Sequence, residues 1–178
     1  MTLFQSTLIV ALTLSICGGI LFLFPETCRK KVLIFGRSKR AAYVTMSIAT
    51  TWFLYQIAHL GKADFGDYKQ FIFILFLGGA ILSFRMVPDF LSVRGVCGIY
   101  LQLASLFLDS AYMNSAPSRL FLVSVTYLGI VVFIYLGAYP FRLRDFANTF
   151  MTRTHYSRTL GLVVALYGGV LLYNAFNY

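Results

Sequence analysis

Six long apolar runs, separated by short segments that hold most of the charge, constrain this sequence more than any other feature. A helix needs about 20 mostly apolar residues to cross the hydrocarbon core of a bilayer. The runs are continuously apolar, without the alternation that is typical of transmembrane strands. We therefore predict an all-α, polytopic membrane bundle that forms one domain over residues 1–178. Its six predicted helices span residues 3–24, 42–61, 70–87, 95–113, 120–139 and 160–176.

The composition excludes an ordinary soluble protein. Charged residues make up 12% of the chain, against about 25% in a typical soluble domain. The net charge of +9 does not predict nucleic-acid binding, because the basic residues lie between the apolar runs and form no basic face interleaved with aromatic residues. The first run has no basic segment before it and no small-residue cleavage site after it, so we expect it to remain as a helix.

The Lys and Arg residues are divided unequally among the connecting segments. Short cytoplasmic loops keep an excess of both residue types, so we predict that the first, third and fifth segments are cytoplasmic and that both termini are extracytoplasmic. The general form is typical of a bacterial inner-membrane protein. The first, third and fifth segments hold Arg29, Lys30, Lys31, Arg37, Lys39, Arg40, Arg85, Arg94, Arg142, Arg144, Arg153 and Arg158, whereas the others hold only Lys62, Lys69 and Arg119.

The third segment, FRMVPDFLSVRG, carries Asp89 between Arg85 and Arg94. One interpretation is a structural ion pair that shapes the turn after Pro88. The other is that the two arginines bind a lipid phosphate or a partner's carboxylate, with Asp89 orienting one guanidinium. The first segment combines its bases with the apolar stretch VLIF and could lie as a short amphipathic segment on anionic lipid. The candidate contacts to anionic lipid or a partner are therefore Arg85, Asp89, Arg94, Arg29, Lys30, Lys31, Arg37, Lys39 and Arg40.

Polar side chains recur along one face of the second and fourth predicted helices. Residues three or four positions apart share a helix face, and both helices run toward the same side of the membrane, so His59 and Asp109 would approach the same level. This spacing indicates an intramembrane polar cluster, with interhelical hydrogen bonding as the structural alternative. Its members are Gln56, His59, Gln102, Ser105 and Asp109.

Motifs of catalysis and metal binding are missing from the sequence. The three cysteines form no CxxC pair, and the two histidines, in different segments, cannot supply bis-histidine haem ligation within the bundle. No P-loop, nucleophile elbow or HExxH motif occurs. We predict no catalytic residue, no metal site and no cofactor.

Three functional hypotheses follow. Glycines on five of the six predicted helices favour close helix packing, so the leading one is a non-catalytic accessory or assembly subunit that packs against partner membrane helices or a second copy. The second is a small-molecule or ion transporter or channel component that uses the polar cluster. The third is a membrane enzyme acting on a lipid headgroup, with the cytoplasmic arginines for the phosphate and His155 or Asp145 as acid or base.

Overall fold

The structure, a computed structural model, describes residues 1–61, 65–86, 89–114 and 116–177. The described residues form eight α-helices and no strand, which confirms the all-α prediction. A 3-10 turn, Gly66–Tyr68, leads into the fourth helix. The helices are α1 (Leu3–Leu23), α2 (Pro25–Arg37), α3 (Lys39–Ala58), α4 (Lys69–Met86), α5 (Leu91–Ala111), α6 (Arg119–Ala138), α7 (Phe141–Thr149) and α8 (Thr154–Ala175).

Five of these helices are long and apolar enough to cross a membrane, namely α1, α4 with its leading turn, α5, α6 and α8. They indicate a helical membrane protein. The predicted second span corresponds to α3, which has the length, 20 residues, but begins with Lys39 and Arg40 and carries several hydroxyl side chains. It is therefore less apolar than the other five.

Two short amphipathic helices lie in segments predicted as connections. The first segment forms α2, in which Pro25 occupies the first turn with Glu26, and Arg37 lies in the last turn. Proline is favoured in the first turn of a helix. The helix dipole favours an acidic residue near the beginning of a helix and a basic residue near its end. The fifth segment forms α7, which contacts α2. Both lie at the end of the bundle where α3, α5 and α8 begin; we call it the basic end.

The tightest helix pair joins the two termini of the chain. The helices α1 and α8 run antiparallel, with Phe4 against Phe176 at one end and Gly18 against Gly161 further along. A Cβ added at Gly18 would lie 2.5 Å from the Ala165 backbone nitrogen. The two backbones are therefore in direct contact, as small residues allow in membrane bundles.

The centre of the bundle is α5, which buries nine residues. It runs parallel to α3, where Thr45 Oγ1 donates a hydrogen bond to the Ser92 carbonyl at 3.2 Å, and antiparallel to α6, where Tyr100 stacks on Phe133 at 4.0 Å between ring centroids. By contrast, no residue of α4 is buried. This helix packs mainly on α3, so it is the most loosely attached of the long helices.

Candidate functional site

A cavity of about 790 Å3 lies between α3, α4 and α5. Its volume falls in the range of about 300–1,000 Å3 that is typical of small-molecule sites. Most of its wall is apolar. The lining residues are Met46, Ala49, Thr50, Phe53 and Gln56 of α3, Leu75, Phe76, Gly79 and Ala80 of α4, and Arg94, Gly98, Leu101, Gln102 and Ser105 of α5.

The cavity exists because α4 is attached to α3 rather than to α5. Tyr43 stacks on Phe84 at 5.1 Å, and Phe53 meets Phe76 edge-on at 4.9 Å between ring centroids. These two contacts hold α4 along α3. On the cavity side, Gly79 has no atom within 4 Å of an added Cβ, so the space beside this residue is open.

Gln102 forms the polar centre of the cavity wall. Its side-chain nitrogen donates to the Ala49 carbonyl at 3.1 Å and to the Gly98 carbonyl at 3.2 Å. Both partners are carbonyl oxygens, which only accept hydrogen bonds, so they fix the amide with its nitrogen toward them. The Oε1 atom points away from these carbonyls, is buried and has no hydrogen-bond partner among the described residues. A buried acceptor without a donor is costly.

Two further members of the predicted cluster line the same cavity. Ser105 donates its hydroxyl to the Gln102 carbonyl at 2.9 Å, which places its oxygen one turn further along α5. Gln56 lies across the cavity on α3, and its amide makes no hydrogen bond to the described residues. Three of the five predicted polar residues, Gln56, Gln102 and Ser105, are thus brought together.

The structure places the other two members elsewhere. His59 follows the last residue of α3, is exposed, and its Nδ1 lies 2.8 Å from the Tyr55 carbonyl oxygen. Asp109 is exposed near the end of α5 and lines a different hollow, together with Tyr112 and Arg119. Neither residue lines the cavity between α3, α4 and α5.

Arg94, predicted to flank a span and to contact an anionic lipid or a partner, also lines the cavity. It was predicted to flank a helix beginning at residue 95, whereas α5 begins at Leu91 and carries Arg94 in its first turns. Hydropathy identifies only the apolar part of a helix, and α5 extends beyond that part into polar residues. The spacing alone places Arg94 on the same helix face as Gln102, because Arg94, Gly98 and Gln102 follow one another at intervals of four residues.

The predicted ion pair of Asp89 is not present. Asp89 is exposed and pairs with neither Arg85 nor Arg94; the ion pairs among the described residues join Arg29 to Glu26 at 3.7 Å and Arg144 to Asp145 at 3.1 Å. Arg94 carries a buried Nε without a hydrogen-bond partner in the described part of the chain. The predicted turn after Pro88 lies outside the described residues.

The bases of the first segment lie on or beside α2. Lys30, Lys31, Arg37, Lys39 and Arg40 are all exposed, whereas Arg29 is partly buried and paired with Glu26. The end of α2 is fixed to α5, because the buried Ser92 hydroxyl donates to the Phe35 carbonyl at 2.8 Å. The basic end is therefore attached to the helix that carries Arg94.

The acid and base candidates of the lipid-enzyme hypothesis do not lie together in one site. Asp145 is engaged by the Arg144 guanidinium, and His155 lies in a separate hollow formed by residues 153–156 of its own turn. Among the described residues, no group of three or more His, Cys, Asp or Glu side chains could hold a metal ion.

No family model, curated protein or solved structure matches this chain.

Proposed function

We propose that the protein binds a small amphiphilic molecule within the membrane, in the cavity between α3, α4 and α5, and acts as a transporter or as the binding component of one. The observation that carries this proposal is the convergence of Gln56, Gln102 and Ser105 on one largely apolar cavity. Polar side chains inside a membrane bundle commonly mark a substrate pathway. An apolar wall with a few polar groups is also the usual character of a ligand site.

The loose packing of α4 supports binding and release. None of its residues is buried, and a segment with few buried contacts opens at low free-energy cost. Movement of α4 away from α5 would admit a ligand from the surrounding lipid. The two aromatic contacts with α3, Tyr43 with Phe84 and Phe53 with Phe76, would keep the helix attached meanwhile.

Filling the cavity is expected to weaken binding. Gly79→Leu adds a side chain to the cavity wall where an added Cβ meets no atom within 4 Å, so the fold should tolerate it while the ligand loses space. The probe is a long-chain alcohol that carries a photoactivatable diazirine, and its adducts on α3, α4 and α5 are mapped by mass spectrometry. We expect labelling to fall about tenfold, equivalent to ~1.4 kcal/mol of binding.

Gly78→Leu is the matched control, because Gly78 is adjacent, equally free of neighbours and does not line the cavity. Its labelling should equal that of the wild type. Absence of adducts on cavity residues in the wild type, or equal labelling of both variants, would contradict the proposed binding function.

The membrane arrangement that accompanies this proposal has six spans, with α3 as the sixth. The six long helices alternate in direction along the chain, so both termini lie opposite the basic end. Twelve of the 15 Lys and Arg residues belong to segments at the basic end, which we place in the cytoplasm, with the protein in a bacterial inner membrane.

Reporter fusions test this arrangement. Alkaline phosphatase fused after Asn174 is expected to be active, because this enzyme functions only outside the cytoplasm, whereas a fusion after Ser38 should be inactive. A fluorescent protein that matures only in the cytoplasm should give the opposite pattern. The same reporter behaviour at both positions would contradict the six-span arrangement.

The accessory-subunit hypothesis remains a second candidate, favoured by one observation. Gly78 of α4 has no atom within 4 Å of an added Cβ, so the backbone of α4 at this position is not covered by any other described helix. A partner helix could pack there closely. In this case a stoichiometric membrane partner would co-purify with the wild type and be lost from Gly78→Leu but retained by Gly79→Leu, the reverse of the ligand-binding pattern.

A further inference from the structure

Arg94 is the charged residue in the wall of the cavity. Of the 14 lining residues among the described part of the chain, it alone carries a charge, and no carboxylate lies among them. It occupies the beginning of α5, at the basic end of the cavity, whereas Gln56 and Ser105 lie toward the other end. Arg94 and Ser105 are eleven positions apart, which corresponds to roughly 16 Å along the helix.

The guanidinium of Arg94 has no counter-ion in the described structure. Asp89, the nearest acidic residue in sequence, is exposed and forms no ion pair with a described residue, and both ion pairs within the described residues involve other arginines. The Nε atom is buried without a partner. A partly buried cation in an apolar wall is unfavourable unless an anion and further hydrogen bonds accompany it.

We infer that the cavity takes an amphiphile with an oxyanion headgroup, whose oxygens pair with the Arg94 guanidinium while its apolar chain lies along α4 and α5. This rests on the proposed binding function and adds the chemistry of the ligand. The planar guanidinium offers parallel N–H donors that match the paired oxygens of a phosphate or a carboxylate. Phe53, Leu75, Phe76 and Leu101 supply the apolar surface for the chain.

Phosphate and carboxylate heads offer the same pair of oxygens, and they belong to phospholipid-like and fatty-acid-like ligands respectively. Three photoactivatable probes with one common alkyl chain separate these sources from a neutral ligand: a monoalkyl phosphate, a fatty acid and the corresponding alcohol. Each is irradiated with the full-length protein in mild detergent, and adducts on the cavity residues are quantified.

We expect at least one acidic probe to label the cavity about tenfold more strongly than the alcohol, since charge-assisted bonds are roughly twice as strong as neutral ones. Arg94→Gln should lower the acidic labelling to that of the alcohol without changing the alcohol labelling, which also reports that the variant is folded. Arg94→Lys keeps the charge but loses the planar fork, so its labelling should lie between the two.

Arg85→Gln is the matched control, because Arg85 is an exposed and unpaired arginine at the same end of the bundle and does not line the cavity. Its acidic labelling should equal that of the wild type. If the alcohol labels the cavity and neither acidic probe exceeds it, or if Arg94→Gln keeps the preference, the oxyanion inference is overturned while binding stands. If no probe labels the cavity, the proposed function fails as well.

Discussion

Gly18→Leu is expected to separate α1 from α8 and to destabilise the whole bundle. An added Cβ would lie 2.5 Å from the Ala165 backbone nitrogen and 2.7 Å from the Gly161 carbonyl oxygen. Backbone atoms cannot move aside as a flexible side chain can, so the two helices must shift. We expect a loss of at least about 3 kcal/mol, at the upper end of the usual cost of overpacking.

Gly19→Leu provides the matched control, because Gly19 is the next residue on α1 and meets no atom within 4 Å of an added Cβ. The readout is the temperature at which the buried Cys97 thiol becomes reactive toward a fluorescent thiol reagent. Cys17 and Cys28 are replaced by serine in all variants so that Cys97 alone reports. Equal stability of the two leucine variants would show that the contact between α1 and α8 is looser than the structure indicates.

The bundle is packed most closely between α1 and α8 and most loosely at α4. The α1 and α8 pair is held by backbone contact at Gly18, Gly161 and Gly168, whereas α4 has no buried residue. The closest backbone packing therefore joins the first and last helices, whereas the loosely packed α4 lies beside the cavity. Binding sites are commonly drawn from the less stable parts of a fold, which agrees with the proposed role of α4.

Hydropathy predicted the long helices well but misplaced their polar ends. The centre of each apolar run lies in a helix of the structure, because the bilayer length and apolar composition constrain that part. The beginnings of α5 and α8 were missed, since Arg94 and Arg158 interrupt the apolar pattern without interrupting the helix. The short helix α7 was missed for the same reason: its FRLRDFANT sequence is amphipathic rather than apolar.

Part of the candidate site could be predicted, because residues on one helix face remain together whatever the helix packs against. Gln102 and Ser105 share such a face, and Gln56 lies opposite them. His59 could not be placed correctly from spacing alone. It follows the end of α3 rather than lying within the helix, and the end of a helix depends on tertiary contacts that periodicity does not report.

The sequence also could not distinguish between adjacent glycines. Gly18 and Gly19 are chemically identical, as are Gly168 and Gly169, yet an added Cβ would meet the backbone of a neighbouring helix at Gly18 and Gly168 and no atom within 4 Å at Gly19 and Gly169. The rotation of each helix about its axis decides which glycine is covered. That rotation is set by the packing of the entire bundle.

The second large effect is expected at the crossing of α3 and α5, where Gly95→Ala should loosen the wall that holds Gln102. An added Cβ at Gly95 would lie 2.7 Å from the Met46 backbone nitrogen. Gln102 donates to the Ala49 carbonyl one turn further along, so a shift of α3 also lengthens that bond. We expect a loss of about 1–3 kcal/mol together with weaker labelling of the cavity.

Gly98→Ala is the comparison that isolates the cause, since it makes the same substitution on the same helix and interface. Its added Cβ would lie 3.2 Å from the Ala49 side-chain carbon, a contact that a small adjustment relieves. The temperature at which the Cys97 thiol becomes reactive should therefore be higher for Gly98→Ala than for Gly95→Ala. A lower temperature for Gly98→Ala would mean that α3 and α5 touch through side chains rather than through backbone at this crossing. The position of Gln102 would then depend on other contacts.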